Sequence, residues 1–325
     1  MTAKSSTLAS GEPEVDVTTS EASTMVTQRV VPWMKLGRLV DEPMTAQEAA
    51  HQGGIDFTVS LRPAGFYDAD TRGWTRVGNR RFVVRDDTNT PLGVASSGYP
   101  VLQYGDAFDF MNGVSPLFVA AGALKGGRQG FMVVRAPETI TVLDGEDPHE
   151  LFLVLRTSHD CSRAVEVSVM PLRHRCMNQL TLQSFAANVP HRWSVTHNSS
   201  MQQKLQEAQL ALTRLGAYAK QFETLTHRFV ELKVTEPRAR EVLERVLPDK
   251  PRRDDQVDRI IQAWHSAPTV GFDGTGWGLI NAVSEDFEWT RGGGNAESRF
   301  IGALQGSTFK TVNRVAGQLL SRVSA

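Results

Sequence analysis

The chain has 325 residues, 40% of them hydrophobic and 22% charged, with 35 Lys and Arg against 36 Asp and Glu. That length and apolar content can bury a substantial core, while the near-zero charge balance gives no overall pull toward nucleic acid or a membrane, so any polyanion must be held by a local patch. Two cysteines, no apolar leader over Met1 to Gly11 and no apolar run of bilayer length argue against a secreted disulfide scaffold or a membrane protein, and predict a reduced, cytoplasmic setting.

Residues 1–25 are rich in Ser, Thr and Glu with nothing to anchor a core, and read as a disordered tail. Anchoring begins around Trp33 to Gly37. Thr45 followed three residues later by Glu48 is a capping box opening a short helix through Ala50, which Gly53 and Gly54 end. Ile55 to Arg62, Trp74 to Val77, Arg81 to Arg85, Leu92 to Ser96 and Tyr99 to Gln103 are strand candidates separated by Gly, Asp, Asn and Pro. Asp106 to Leu117 has helical spacing. Lys125, Gly126, Gly127 and Arg128 then make a basic turn between the strands Ala120 to Leu124 and Phe131 to Arg135, and Thr139 to Leu143 is a further strand.

The stretch Pro148 to Phe185 is the most information-dense. Leu151 to Arg156 is almost wholly apolar. Ala164 to Met170 alternates, with Val165, Val167 and Val169 on one face and Glu166 and Ser168 on the other, so two strands flank the polar loop Ser158 to Ser162 as a hairpin. Asp160 suits the turn, and the next position often needs φ > 0; here it is Cys161, which would carry roughly 1 kcal/mol of strain there. After Pro171 the spacing of Cys176, Leu180 and Leu182 to Phe185 predicts a helix, with Asn178 placed to cap it and Arg173 to Arg175 at the junction.

Beyond Trp193 the pattern turns helical. Asn198, Ser199 and Ser200 offer N-caps for a long helix to Lys233, whose apolar seam (Leu205, Ala208, Leu212, Leu215, Ala219, Phe222, Phe229) favours packing within the chain over a coiled-coil dimer. Thr235 and Pro237 start a second helix that Pro248 closes, Asp254 to His265 form a third, Gly271 to Gly278 a structured turn, Leu279 to Trp289 a helical segment and Thr308 to Val323 a last helix. The expectation is an α+β protein: a tail (1–25), a β-rich antiparallel domain with one or two packed helices (26–192) and a helical region (193–325).

Three chemistries compete. His159, Cys161, His174 and Cys176 form two His-x-Cys pairs bordering one hairpin, which could converge on zinc, although structural zinc pairs are usually spaced more widely and a buried Cys176 is the plainer reading. His159, Asp160 and Ser162 invite a triad reading, but residues so close in sequence rarely reach that geometry; Asp160 and Ser162 bonding their own loop, with His159 facing solvent or a partner, is more economical. No cofactor motif is present, since Gly271 to Gly278 has no phosphate-binding lysine. The third reading is nucleic acid: Arg80, Arg81, Lys125, Arg128, Arg156, Arg163, Arg173 and Arg175 lie in the β-rich half with Trp74, Phe82, Tyr99 and Phe131 interleaved, the mixture that phosphates and stacked bases require.

The order of motifs resembles that of phage- and plasmid-related proteins carrying domain of unknown function 932. The matching pieces are GVASSGYPVLQYGDAFDFM (Gly93 to Met111), the turn at Gly126 and Gly127, TSHDCS (Thr157 to Ser162), PLRHRCMNQL (Pro171 to Leu180), the helix start after His197 and GTGWGLINAVSEDFEW (Gly274 to Trp289), from about Trp33 onward. His159, Asp160 and Ser162, and Arg173, Cys176 and Asn178 of an Arg-x-x-Cys-x-Asn pattern, follow the family; Cys161 stands where the family usually has glycine, and His174 where it has an apolar residue. The resemblance implies a mobile element in a bacterial host and carries no established activity. We therefore expect a non-enzymatic, homo-oligomeric protein binding single-stranded DNA in recombination or replication. The alternatives are a metal-assisted hydrolase acting on nucleic acid through His159, Asp160 and neighbouring ligands, and a host-interaction protein docking through its long helix.

Overall fold

The computed structural model describes residues 38–39, 44–113, 118–142, 147–174, 176–183, 191–195, 215–266, 271–290 and 294–321. The expected tail (1–25), Trp33 to Gly37, the long helix before Leu215 and Arg175 lie outside them.

Thr45 caps helix α1 (Ala46–Gln52) with the reciprocal pattern its spacing predicts: its side chain accepts from the Glu48 amide, and the Glu48 carboxylate accepts from the Thr45 amide at 2.7 Å. The antiparallel chain then builds two sheets. One has three strands in the order β2 (Val59–Asp68), β3 (Gly73–Arg85), β4 (Pro91–Ser96). The other has six, in the order β1 (Arg38–Leu39), β5 (Phe118–Leu124), β6 (Gln129–Val142), β7 (Asp147–Ser158), β8 (Val165–Arg173), β9 (Arg192–Val195). Between the sheets in sequence come helix α2 (Tyr104–Phe108) and a 3-10 turn, Asp109–Gly113.

The helical half comprises α3 (Leu215–Glu231), α4 (Glu236–Val246), α5 (Arg253–Trp264), α6 (Gly276–Glu285) continued by a π-helical turn (Asp286–Thr290), α7 (Ala296–Gln305) and α8 (Ser307–Leu320). The fold is α+β, antiparallel sheets first and helices after. The seam of α3 expected to pack within the chain does so over its described length, burying Leu215, Tyr218, Ala219, Phe222 and Phe229 against β6 and α6.

Both faces of the large sheet are covered. On one face Leu151, Leu153, Leu155, Val165, Val167 and Val169 join a core that runs on into α3 to α6 and α8. On the other, Phe131, Val133, Phe152, Val154 and Met170 meet Phe300 and Leu304 of α7, with the Phe131 and Phe300 rings 5.2 Å apart. Every residue of β8 is consequently buried, and Glu166 and Ser168, which alternation places on a solvent face, lie under cover instead. Alternation marks two faces of a strand; it does not say that one of them is wet.

Other expectations change in place. Tyr99 to Gln103 is not a strand, and the separate candidates between Phe131 and Leu143 are one long strand with an irregularity between Arg135 and Thr139. The helix expected from Cys176 is extended chain over 178–183, because Gln179 turns back to bridge Leu172 and the Leu180 amide bonds the Pro171 carbonyl. Strand β9 and helix α7 have no counterpart in the sequence reading.

Candidate functional site

The β7–β8 hairpin has two polar ends. At its base the Arg173 Nε donates to Asp147 at 2.8 and 3.0 Å, and neither residue has any exposed surface. The indole of Trp277, from the first turn of α6, donates to the same carboxylate at 2.9 Å. Arg173 also reaches Cys176 Sγ at 3.5 Å and lies over the Phe272 ring. Burial pushes the Cys176 thiol up, against the pull of Arg173, so it stays neutral. Asn178, far from capping a helix, accepts from the Trp289 indole at 2.8 Å and donates to the Asn281 carbonyl at 3.2 Å. Glu288 accepts from the Ser284 hydroxyl at 2.6 Å and from the amide and side chain of Gln179. Burial raises its carboxyl to about 7, whereas burial lowers His149, packed between Phe222 and Trp277, to about 4.

At the tip, Cys161 has φ +60, the left-handed conformation its turn position predicts. Asp160 accepts from the Ser162 amide at 2.9 Å, as the bonding-its-own-loop reading requires, and Ser162 Oγ accepts from Gln129 at 3.0 Å. His159 differs: it is buried, its ring stacked on Tyr104 at 3.8 Å, with Phe57 beside it. Strand β4 crosses this loop so closely that a Cβ on Gly93 would sit 2.6 Å from the Asp160 Cα. Only glycine allows that approach. A triad does not form, since Asp160 and Ser162 bond each other's loop while His159 stacks away.

The two His-x-Cys pairs sit at opposite ends of the hairpin. The eight strand steps of β8 alone separate them by roughly 26 Å at about 3.3 Å per residue. Among the described residues no group of three or more His, Cys, Asp or Glu is placed to hold a metal ion.

The predicted basic residues divide the same way. Arg173 is held inside at the base. Arg156, on β7 near the tip, is buried against Glu166 at 3.1 Å, and Arg163 reaches the same carboxylate at 3.2 Å. Lys125 and Arg128 are exposed on the turn beside the tip. Arg80 and Arg81 pair with Ser96 and Ala95 at the end of β4, at the root of a separate feature, an arm formed where β2 and β3 run on past β4, with a bulge opposite Ala64. The arm exposes Phe66, Tyr67 and Trp74 at 53, 62 and 63%, and adds Arg72 and Arg76, which the sequence reading did not single out. Tyr67 and Trp74 are direct cross-strand partners on one face.

The family model described as "Domain of unknown function (DUF932)" matches residues 91–317. The chain belongs to the DUF932 family. The match takes in both ends of the hairpin and the α6 segment that closes its base, and begins after the arm. No curated protein and no solved structure matches the chain. Within the DUF932 segment, sequence reasoning missed Asp147, Trp277, Glu288 and Arg192. Asp147 and Glu288 were legible only as acids near apolar runs, and Arg192 sits in a strand too short to announce itself.

Proposed function

We propose that this DUF932 chain is a non-enzymatic protein that binds single-stranded nucleic acid, with the β2–β3 arm as the principal contact and Lys125 and Arg128 as a second one. The observation that carries the reading is the composition of the whole β2–β3 hairpin, six arginines against two aspartates between Val59 and Arg85, with three aromatic side chains standing in solvent on its arm. Among the described residues, Arg72, Arg76, Arg80 and Arg81 enter none of the ion pairs, so their charge is available to phosphates. Exposed aromatics accept bases of any sequence by stacking, which suits a single strand better than a closed duplex. Arg173, enclosed with Asp147, is left out of the contact surface. The likeness to phage- and plasmid-related proteins supports a mobile-element setting in the cytoplasm of a bacterial host, and two cysteines that form no disulfide accord with a reducing compartment. Strand annealing by a homo-oligomer is the activity such a binder would serve.

Anisotropy of a labelled oligothymidylate tests this. Affinity should fall steeply with salt, at about 0.7 log units per log unit of salt for each neutralised phosphate. Trp74→Ala should weaken binding by about 1–3 kcal/mol without moving the melting temperature. Flat curves at low salt, or an arm variant that binds as the parent does, would overturn it. Light scattering with and without the oligonucleotide reads the oligomer.

A further inference from the structure

Three guanidinium groups converge on one carboxylate at the tip end of the large sheet. Glu166 Oε2 takes Arg156 Nη2 at 3.1 Å and Arg163 Nη1 at 3.2 Å, and Oε1 takes Arg192 Nη2 at 3.2 Å. Register explains the meeting: Arg156 is the direct cross-strand partner of Glu166 on β7, and Arg192 of β9 faces Ser168, two residues further along β8. One carboxylate cannot neutralise three cations. The crowding is felt by Arg156, which burial, then the charge of Arg163, draw down to about 10.

The hydrogen bonds do not balance either. Arg156 is 1% exposed, yet among the described residues neither its Nε nor its Nη1 has an acceptor, and the buried hydroxyl of Ser168 on the same face has no partner. A buried guanidinium with two open N–H groups costs several kcal/mol unless an acceptor arrives. Arg163 and Arg192 are 17% and 39% exposed, so an anion can approach from their side. Among the described residues their other side-chain contacts are to neutral amides, Gln129 for Arg163 and Gln305 for Arg192, so both share the single Glu166 carboxylate with Arg156.

We propose that Arg156, Arg163, Arg192 and Ser168 form a binding site for one phosphate group, with Glu166 as the acid that holds the arginines together when the site is empty. A tetrahedral oxyanion supplies several acceptors at once, which suits a set of planar forks better than a single carboxylate. The site lies on the large sheet within the DUF932 segment, stands independently of the arm, and takes either a backbone phosphate or the phosphate of a small molecule.

Differential scanning fluorimetry of the full chain in sodium phosphate against sodium chloride, at matched ionic strength, tests it. Inorganic phosphate at ten times its Kd should raise the melting temperature by about 2–4 °C. Arg163→Ala and Arg192→Ala should each abolish that difference. Glu166→Gln gives the sharper readout: it should lower the melting temperature in chloride while tightening phosphate roughly tenfold, because a competing negative charge has gone. A purely structural cluster would lower the melting temperature and leave the response to phosphate unchanged. Equal melting in phosphate and chloride, or a Glu166→Gln variant no more responsive than the parent, overturns the site. Competition identifies the source. Phosphate that displaces oligothymidylate from the Trp74→Ala protein marks a backbone phosphate; phosphate that binds without displacing it marks a small phosphorylated ligand.

Discussion

At the base of the β7–β8 hairpin one arginine meets one aspartate; at its tip end three arginines meet one glutamate. Arg173 and Arg156 look alike in the sequence, each a cation closing an apolar strand, and both are buried. What separates them is the count of charges around each. The base is neutral and closed by the Trp277 indole, so its arginine holds the sheet to α6. The tip end carries surplus positive charge and open donors, the condition of a site that expects a ligand. Burial alone does not distinguish a structural ion pair from a binding site; charge balance does.

The largest expected effect breaks the base. Arg173→Ala leaves Asp147 buried without its cation, and loss of one partner of a buried pair typically costs 3–5 kcal/mol. Urea denaturation should show a loss of about that size. Arg192→Ala at the other end removes a half-exposed pair and should cost about 1 kcal/mol or less, since exposed pairs contribute little. Similar losses from the two variants would erase the distinction drawn between the ends.

The base also carries a pH signature. Glu288 is raised from 4.5 to about 7, so the folded chain holds a proton that the unfolded chain has released; its stabilisation is present below pH 4.5 and lost as pH rises to 7. His149 is lowered from 6.5 to about 4, so its contribution is present above pH 6.5 and lost as pH falls to 4. Each is worth about 3 kcal/mol across its window, with opposite sign, and between pH 6.5 and 4.5 the two slopes cancel. Glu288→Gln removes one of them. That variant should lose about 3 kcal/mol more than the parent as pH falls from 7 to 4.5, measured by denaturation at each pH. Parallel profiles for parent and variant would show that Glu288 does not titrate in this window.

Much of the hairpin was legible in its residues, because strand periodicity and turn chemistry are local. The Leu151 to Arg156 and Ala164 to Met170 strands, the turn at Asp160, the left-handed Cys161 and the Thr45 capping box all follow from spacing within a few positions. What failed depended on distant partners. His159 as a solvent-facing group, Asn178 as a cap and a helix from Cys176 were each displaced by contacts of long sequence separation: Tyr104 on the histidine, Trp289 and Asn281 on the asparagine. The arginine cluster escaped notice because Arg192 enters it from β9, nearly thirty positions after Arg163. The arm was half visible: Trp74, and Arg80 and Arg81 at its root, stood out, but only the pairing of Tyr67 with Trp74 beyond the end of β4 shows that the segment projects.

The smallest effects concern backbone strain, which both ends share. Cys161 at the tip has φ +60 and Met177 at the base has φ +57, each a conformation in which a Cβ costs about 1 kcal/mol. Glycine relieves that strain but adds freedom to the unfolded chain, so the balance turns on what the side chain does. Cys161 is exposed and bonds only weakly through its sulfur to Tyr99, so Cys161→Gly should stabilise by about 0.5–1 kcal/mol. Met177 is half-buried against the Phe131 and Phe300 layer, and deleting it exposes apolar surface worth about 1–2 kcal/mol. Met177→Gly should therefore destabilise by about 1 kcal/mol despite the same relief. Urea midpoints moving in opposite directions would tie the difference to packing at the base; both moving upward would mean that strain outweighs packing at each end.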